Sequence, residues 1–140
     1  MDCVVDVSFA AGWFLADETT SENRLVLAAY ERGLVEFSVP QLWVYEMPNA
    51  LLMAYRRKRL DAAHYDAAKS AFAEMRFVHH DQTDHLCSRR IFGFAEDLGL
   101  TAYDAAYLEL ADRLRLPLLT NDRELKNAAK KRNIPTALKF

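Results

Sequence analysis

The sequence predicts an α/β fold with a mainly parallel sheet. Short apolar runs, too brief for helices, alternate along the chain with longer segments of helical periodicity. Such alternation is typical of β-α-β units, which place helices against a parallel sheet. The chain has 140 residues, of which 51% are hydrophobic, and this is enough for one domain with a buried core. We therefore expect a single domain over residues 1–140.

Five segments have the short, apolar character of buried strands. Residues 3–7 are apolar and partly β-branched, and they are too few to form a stable helix. Residues 35–39 alternate as a strand does, and Pro40 ends them. The five predicted strands cover residues 3–7, 35–39, 76–79, 117–119 and 134–138.

Helical segments fill the intervals between these strands. Gly33 ends the second helix, because glycine readily adopts the left-handed conformation found at helix C-termini. Leu60 and Asp61 mark a break after the long third helix, and Gly99 separates the fifth helix from the sixth. The predicted helices cover residues 8–15, 22–32, 41–59, 62–74, 83–98, 101–115 and 123–131.

The overall charge and the cysteine content limit the classes of function. The formal net charge is −2, whereas proteins that coat nucleic acids are usually basic. The basic runs at residues 56–59 and 130–132 are equally compatible with solvated helix ends and with phosphate contacts. Cys3 and Cys87 are too few for a disulfide framework or a zinc site. The few glycines form no phosphate-binding loop, which excludes Walker and Rossmann types of nucleotide binding.

No stretch of the sequence suggests membrane insertion or export. No apolar run approaches the ~20 residues that span a bilayer. The N-terminus has no basic region ahead of its first apolar run, as a signal peptide would have. We therefore expect a cytoplasmic protein without membrane contacts.

Two acidic residues lie in segments that are otherwise apolar. Asp6 ends the buried run of the first predicted strand, where aspartate is disfavoured. Glu46 is the only charged residue between residues 40 and 55, in a helix that is apolar on nearly every face. A carboxylate buried in such surroundings costs several kcal/mol unless it is paired or binds a cation. These positions therefore indicate functional roles for Asp6 and Glu46.

Two further acidic residues have both functional and structural interpretations. Asp104 lies on the side of its helix that carries Tyr107, away from Arg113, and it also has capping-box spacing from Thr101. Asp122 follows the fourth predicted strand and is suited to cap the last helix. Ligands of parallel sheets collect at the carboxyl ends of the strands. The four acids together therefore indicate a divalent-metal site at that edge.

Two competing hypotheses follow from other features. His79 and His80 could perform acid–base cleavage of RNA. Their position at a strand end favours an ordinary surface location. A phospho-receiver domain is also a small parallel α/β protein, but it needs an adjacent pair of acids after the first strand. The segment Val5-Asp6-Val7 lacks that pair.

The four acids belong to four motifs that follow one another along nearly the whole chain. Taken in order, these motifs resemble those of the PIN-domain ribonucleases. The chain looks most like the compact VapC-type toxins of type II toxin–antitoxin pairs. The motifs are Val5-Asp6-Val7-Ser8, Tyr45-Glu46-x-x-Asn49-Ala50, Thr101-x-x-Asp104-Ala105-x-Tyr107 and Leu119-Thr120-Asn121-Asp122.

The resemblance implies a fold and a metal-dependent activity. The fold would be a three-layer α/β/α sandwich around a sheet ordered 3-2-1-4-5. The activity would be RNA hydrolysis with Mg²⁺ or Mn²⁺, which suits oxygen ligands. Pro48 departs from the family pattern and is expected to bend the helix that carries Glu46. The implied metal ligands are Asp6, Asp104 and Asp122, the residue that orients or deprotonates water is Glu46, and the accessory polar residues are Ser8, Asn49 and Thr120.

The resemblance also implies partners. These are an RNA substrate, a cognate antitoxin protein, and a second copy of the chain in a homodimer that enters a higher toxin–antitoxin assembly. The apolar excess of residues 9–15 and 42–55 predicts a groove between these helices for an amphipathic antitoxin helix. A basic residue of that partner would enter the acidic site. The alternative is a catalytically inactive PIN-like domain that binds RNA or protein.

Overall fold

Four parallel strands and seven α-helices form the structure, a computed structural model that describes residues 1–140. None of its helices combines the length and the hydrophobicity needed to cross a membrane. The strands are β1 (Asp2–Val5), β2 (Glu36–Pro40), β3 (Phe77–His80) and β4 (Leu118–Leu119). The helices are α1 (Val7–Ala10), α2 (Ser21–Glu31), α3 (Trp43–Arg56), α4 (Ala62–Glu74), α5 (His85–Leu98), α6 (Ala102–Leu114) and α7 (Arg123–Lys131).

The sheet is parallel throughout, with the strands in the order β3-β2-β1-β4. This confirms the predicted α/β class and the predicted order of the first four strands. Crossovers between parallel strands are right-handed, so the β1–β2 and β2–β3 connections lie on one face of the sheet. The β3–β4 connection returns past β1 on the other face, where α6 contacts β1, β2 and β4. The helices therefore cover both faces of the sheet.

Residues 134–138 do not form the predicted fifth strand. One backbone hydrogen bond joins this segment to β4, and in it Leu118 N donates to Pro135 O at 2.8 Å. Pro135 has no N–H group, so it cannot donate a ladder hydrogen bond in return. The sheet therefore ends at β4, and Ile134 contributes to the core by side-chain packing instead.

The first predicted helix, residues 8–15, is divided in the structure. α1 is four residues long, and a 3₁₀ turn continues the chain over residues 11–13. A side chain at Gly12 would overlap Asn23, so the backbone of this turn lies directly against α2. Asn23 is fully buried, and its Nδ2 donates to the Phe9 carbonyl at 2.8 Å. This contact fixes α2 against the segment that follows β1.

An aromatic cluster packs the helices of one layer against the sheet. Phe37 of β2 lies at its centre, with ring-centroid distances of 4.7 Å to Trp13, 5.1 Å to Tyr30 and 6.0 Å to Phe77. Offset and tilted aromatic pairs contribute roughly 0.5–1.5 kcal/mol each beyond their buried area. The cluster therefore stabilises the side of the sheet that faces α2.

On the opposite side, Glu109 is fully buried between α6 and its neighbours. Arg113 Nε donates to Glu109 Oε1 at 2.7 Å, and Gln82 Nε2 donates to Glu109 Oε2 at 2.6 Å. Gln82 Nε2 also donates to the Ala106 carbonyl at 2.8 Å. Helical projection places Glu109 on the face of α6 that points away from Asp104. Its hydrogen bonds therefore attach this face to the loop after β3.

Candidate active site

The candidate site lies where β1 and β4 end side by side. Val5 pairs with Leu119 in the parallel register, and the Asp6 backbone N–H donates to the Leu119 carbonyl at 3.1 Å. Asp6 and Thr120 are therefore brought together although 114 positions separate them in the sequence. This juxtaposition follows from strand order and register.

Asp6 is 5% exposed, and its carboxylate accepts three hydrogen bonds. Oδ1 accepts from Ser8 Oγ at 2.7 Å and from the Phe9 backbone N–H at 3.0 Å. Oδ2 accepts from Thr120 Oγ1 at 2.6 Å. Burial raises the pKa of Asp6 from its ordinary value of 3.8 to about 6, against the opposing effect of these hydrogen bonds, and the charge of Asp104 raises it further. The Phe9 bond also caps α1, a structural role that the sequence pattern did not predict.

Ser8 connects the two strand ends beyond its bond to Asp6. Its Oγ accepts from the backbone N–H groups of Asn121 at 2.8 Å and Asp122 at 3.1 Å. It also lies 3.1 Å from Thr120 Oγ1. Ser8 and Thr120 therefore join Asp6 to the segment that carries Asp122.

Asp122 caps α7, as its position in the sequence suggested. Its Oδ1 accepts from the Leu125 backbone N–H at 2.8 Å. The side chain is half-buried, and no protein donor binds its second carboxylate oxygen. The capping role therefore leaves one oxygen of Asp122 available to a ligand.

Glu46 lies in the first turns of α3 and is held from across the site. The Tyr107 hydroxyl on α6 donates to Glu46 Oε1 at 2.7 Å. Partial burial and the charge of Asp104 raise the pKa of Glu46, while the hydrogen bond from Tyr107 lowers it. Pro48 lies inside α3, but the helix continues through it to Arg56. The sequence pattern places Tyr107 on the core side of its helix and did not predict this contact. The one available sign was its hydroxyl group, which lies on the same helix face as Asp104.

Asp104 lies in the first turn of α6. Its backbone N–H donates to Thr101 Oγ1 at 3.1 Å, so Thr101 caps the helix as its spacing predicted. The carboxylate itself is half-exposed. Partial burial raises the pKa of Asp104, and the charges of Asp122 and Glu124 raise it further. The charge of Asp104 also raises the pKa of Asp6 and of Glu46.

Asn49, His79 and His80 form no side-chain hydrogen bond with any of the four acids. Asn49 is exposed on α3 and makes no side-chain hydrogen bond. His79 is exposed on β3, and His80 Nε2 lies 3.0 Å from Ser38 Oγ. Burial and the charge of Arg113 lower the pKa of His80. Neither histidine contacts one of the four acids.

The oxygen donors of the site suit Mg²⁺ or Mn²⁺ in their chemistry. Carboxylate and hydroxyl oxygens are hard ligands of the kind these ions prefer. No group of three or more His, Cys, Asp or Glu side chains is arranged so that it could hold a metal ion. Mg²⁺ commonly binds through one or two carboxylates and retains several waters, so an open set of acids fits it. A cation would also relieve the repulsion among these carboxylates.

The sequence matches the PIN domain family over residues 3–131, and the chain belongs to that family. The family resemblance of the four motifs is thereby confirmed. PAE2754 from Pyrobaculum aerophilum has a similar solved structure, with 25% identity, a TM-score of 0.61, and coverage of 91% of this chain and 79% of that one. VapBC2 from Rickettsia felis, solved bound to a DNA fragment from their promoter, has a similar fold at 11% identity, with a TM-score of 0.64 and coverage of 97% of both chains. No curated protein matches the chain.

The burial of Asp6 gives a prediction for the stability of the metal-free protein. The pKa of Asp6 is about 6 in the folded state, against an ordinary value of 3.8. The folded state therefore binds the proton more tightly, and stability is lost as pH rises from about 4 through about 6. The loss from this one residue is of order 3 kcal/mol, since one pKa unit corresponds to about 1.4 kcal/mol.

We expect Asp6→Asn to stabilise the metal-free protein above pH 7 and to flatten its stability profile between pH 4 and 7. Urea unfolding in EDTA across this range measures both effects. Asp2→Asn, at the exposed start of β1, serves as the control and should retain the wild-type profile. An Asp6→Asn profile parallel to that of the wild type would contradict the assignment of a buried, costly charge to Asp6.

Proposed function

We propose that this protein is a Mg²⁺- or Mn²⁺-dependent endoribonuclease that acts as the toxin of a toxin–antitoxin pair. The observation that carries the proposal is the buried Asp6 carboxylate at the joined ends of β1 and β4, together with the hydrogen bond that ties Glu46 to Tyr107 on the helix that carries Asp104. Partial or full burial raises the pKa of all three. Clustered carboxylates with perturbed pKa values are characteristic of functional sites. Membership of the PIN family supports a nuclease.

Asp6, Asp104 and Asp122 are the residues that would hold the cation. Asp6 Oδ2 accepts a single hydrogen bond, from Thr120 Oγ1, and only one carboxylate oxygen of Asp122 accepts a hydrogen bond from the protein. A divalent ion held there would lower the pKa of a coordinated water and neutralise charge on a phosphate. Ser8 and Thr120 keep the Asp6 carboxylate in one orientation, because each donates a hydroxyl hydrogen bond to it, at 2.7 Å and 2.6 Å respectively.

Glu46 is the proposed general base. Its pKa is raised, which brings it closer to neutral pH and makes the carboxylate a better proton acceptor. Tyr107 binds Oε1, so the other oxygen, Oε2, remains free to orient a water or accept its proton. Tyr107 also fixes Glu46 relative to α6, which carries Asp104. The two acids are therefore held on facing helices.

The proposal also includes an antitoxin protein as the partner of this chain. The similar R. felis structure is that of VapBC2 bound to a DNA fragment from their promoter, and this chain shares that fold. An apolar cavity of about 290 Å³ lies beside Trp13 and Phe14, and its other lining residues come from α2 and from the end of α4. The groove was predicted between residues 9–15 and 42–55; the cavity shares the first of these segments, but α2 and α4 line it in place of residues 42–55. We also propose that an amphipathic antitoxin helix docks at this cavity. The chain would form a homodimer and enter a higher toxin–antitoxin assembly.

The nuclease proposal predicts metal-dependent cleavage of RNA. We expect the purified protein to cleave a fluorescently labelled RNA with Mg²⁺ or Mn²⁺ and to stop on addition of EDTA. Asp6→Asn and Asp104→Asn should each lower the rate by about 100-fold or more, because each removes a charged ligand. Mn²⁺ should also raise the melting temperature of the wild type and not that of Asp104→Asn. Glu31→Gln, an exposed substitution at the end of α2, is the control.

The outcomes separate the competing hypotheses. Cleavage that resists EDTA and persists in both aspartate variants would overturn the metal site and direct attention to His79 and His80. Metal-dependent stabilisation without any cleavage would support the inactive PIN-like domain instead.

The toxin proposal predicts an effect on growth. Expression of the chain alone should arrest bacterial cells, because uncontrolled RNA cleavage stops translation, whereas the Asp6→Asn form should be harmless at equal protein level. Colony counts after induction, with immunoblots for the amount of soluble protein, provide the measurement. Equal toxicity of both forms would instead point to aggregation or another activity.

A further inference from the structure

Positive charge is concentrated on the last helix, α7, and on the residue that follows it. Residues 123–132 contain five cations and one acid, a formal charge of +4 in a chain whose net charge is −2. Arg123, Lys126 and Lys130 lie three and four positions apart, so they share one face of the helix. We call these three cations the α7 stripe. The helix packs on the core through its other side, with Leu125, Ala128 and Ala129.

The fold itself does not neutralise the α7 stripe. None of the three cations forms an ion pair with a carboxylate of the protein. Arg123 is the first residue of α7, and the helix dipole disfavours a cation at that end. Lys126 and Lys130 are four positions apart, a spacing at which like charges oppose helix formation. Local structure therefore gives no reason for the stripe, whereas an anionic partner would.

Hydrogen bonds attach the start of α7 to the candidate active site. Asp122 caps the helix, and its backbone N–H donates to Ser8 Oγ at 3.1 Å. Ser8 Oγ in turn donates to Asp6 Oδ1 at 2.7 Å. Arg123 directly follows Asp122, and Lys130 lies about 10 Å farther along the helix axis, at 1.5 Å per residue. The stripe therefore begins next to an acid of the site and leads away from it.

The acids of the site make such a row of cations useful to a nuclease. RNA is a polyanion, and the carboxylates at the strand ends repel it. Cations that neutralise backbone phosphates supply most of the sequence-independent affinity of proteins for nucleic acids. A row of cations along a helix matches an extended chain of phosphates better than it matches a single small anion. Charge complementarity thus favours a nucleic-acid backbone as the partner of the α7 stripe.

We infer that the α7 stripe binds the phosphate backbone of the RNA on one side of the phosphodiester that is cleaved. This inference rests on the proposed nuclease function for the identity of the ligand. Arg123, Lys126 and Lys130 are positioning residues, because they hold the strand and do not contact the reacting atoms. Contacts of this kind fix the register of a nucleic acid without reading its bases, and they weaken as the salt concentration rises.

The test removes the three charges together, as Arg123→Gln, Lys126→Gln and Lys130→Gln in one variant. Fluorescence anisotropy with a labelled single-stranded RNA, in EDTA and between about 0.05 and 0.2 M salt, gives the slope of log K against log salt concentration. Each contact to a single strand contributes about 0.7 to that slope, so we expect the slope to fall by about 2 and the affinity at 0.1 M salt to fall by about 100-fold. Exchange of lysine and arginine at the same three positions keeps the charges and should retain the wild-type slope.

The chain offers a control with the same change in charge. Residues 56–58 are three exposed cations at the opposite end of α3 from Glu46, and their replacement by glutamine should leave the slope unchanged. Lys130→Gln alone lies on the exposed surface near the end of α7 and does not disturb the cap of that helix. It should lower the slope by about 0.7, so the inference stays testable if the triple variant does not fold.

Cleavage assays with Mg²⁺ or Mn²⁺ separate this inference from the nuclease proposal. Loss of the stripe should raise KM for RNA more than it lowers kcat. An unchanged slope and KM in the triple variant of α7, with an active wild type, would overturn the inference and leave the nuclease proposal intact. An equal loss of affinity in the variant of residues 56–58 would assign the effect to net charge and also overturn it. Absence of cleavage in the wild type would refute the nuclease, and the salt slope would still decide whether α7 binds nucleic acid.

Discussion

The buried carboxylate of Asp6 is the interaction on which the site depends. It accepts hydrogen bonds from Ser8, Phe9 and Thr120, and so joins the end of β1 to the start of α1 and to the end of β4. Its charge is costly in this position, as its pKa of about 6 indicates. The buried charge of Asp6 lowers the free energy of unfolding of the metal-free protein. A bound cation would restore part of that free energy.

The second constraint is the hydrogen bond that joins α3 to α6. Tyr107 binds Glu46, and the Glu109 network holds the other face of α6 to the loop after β3. These contacts fix α6 from two sides, so that Asp104 in its first turn has a defined position. In enzymes, preorganised charges are effective because they do not need to rearrange when a substrate binds.

Much of this arrangement could be predicted from the sequence, for physical reasons that apply residue by residue. Asp6 follows an apolar run, and Glu46 lies in a helix with almost no other charge. Both could be identified as candidate site residues because burying a carboxylate in such segments is energetically unfavourable. The cap formed by Thr101 followed from spacing alone. Parallel order then brought Asp6 and Thr120 together, as expected for strands whose carboxyl ends share an edge.

Other features depend on tertiary packing and could not be predicted. The segment after residue 133 has the composition of a strand, but Pro135 prevents a ladder with β4. Glu109 lies on the helix face that helical projection assigns to charged residues, and only the packing of α5 against α6 buries it. The contact between Tyr107 and Glu46 joins residues 61 positions apart, and no local pattern encodes it. The roles of the acids in metal binding stay predictions.

The location of a bound cation tests the central claim most directly. Crystals grown with Mn²⁺ and measured at its absorption edge give anomalous scattering that locates the ion without reference to activity. We expect one or two peaks within coordination distance of Asp6 and Asp104, and their loss in crystals of Asp104→Asn. Density for Mn²⁺ only at the surface histidines, or none near Asp6 at saturating metal, would contradict the proposed metal site.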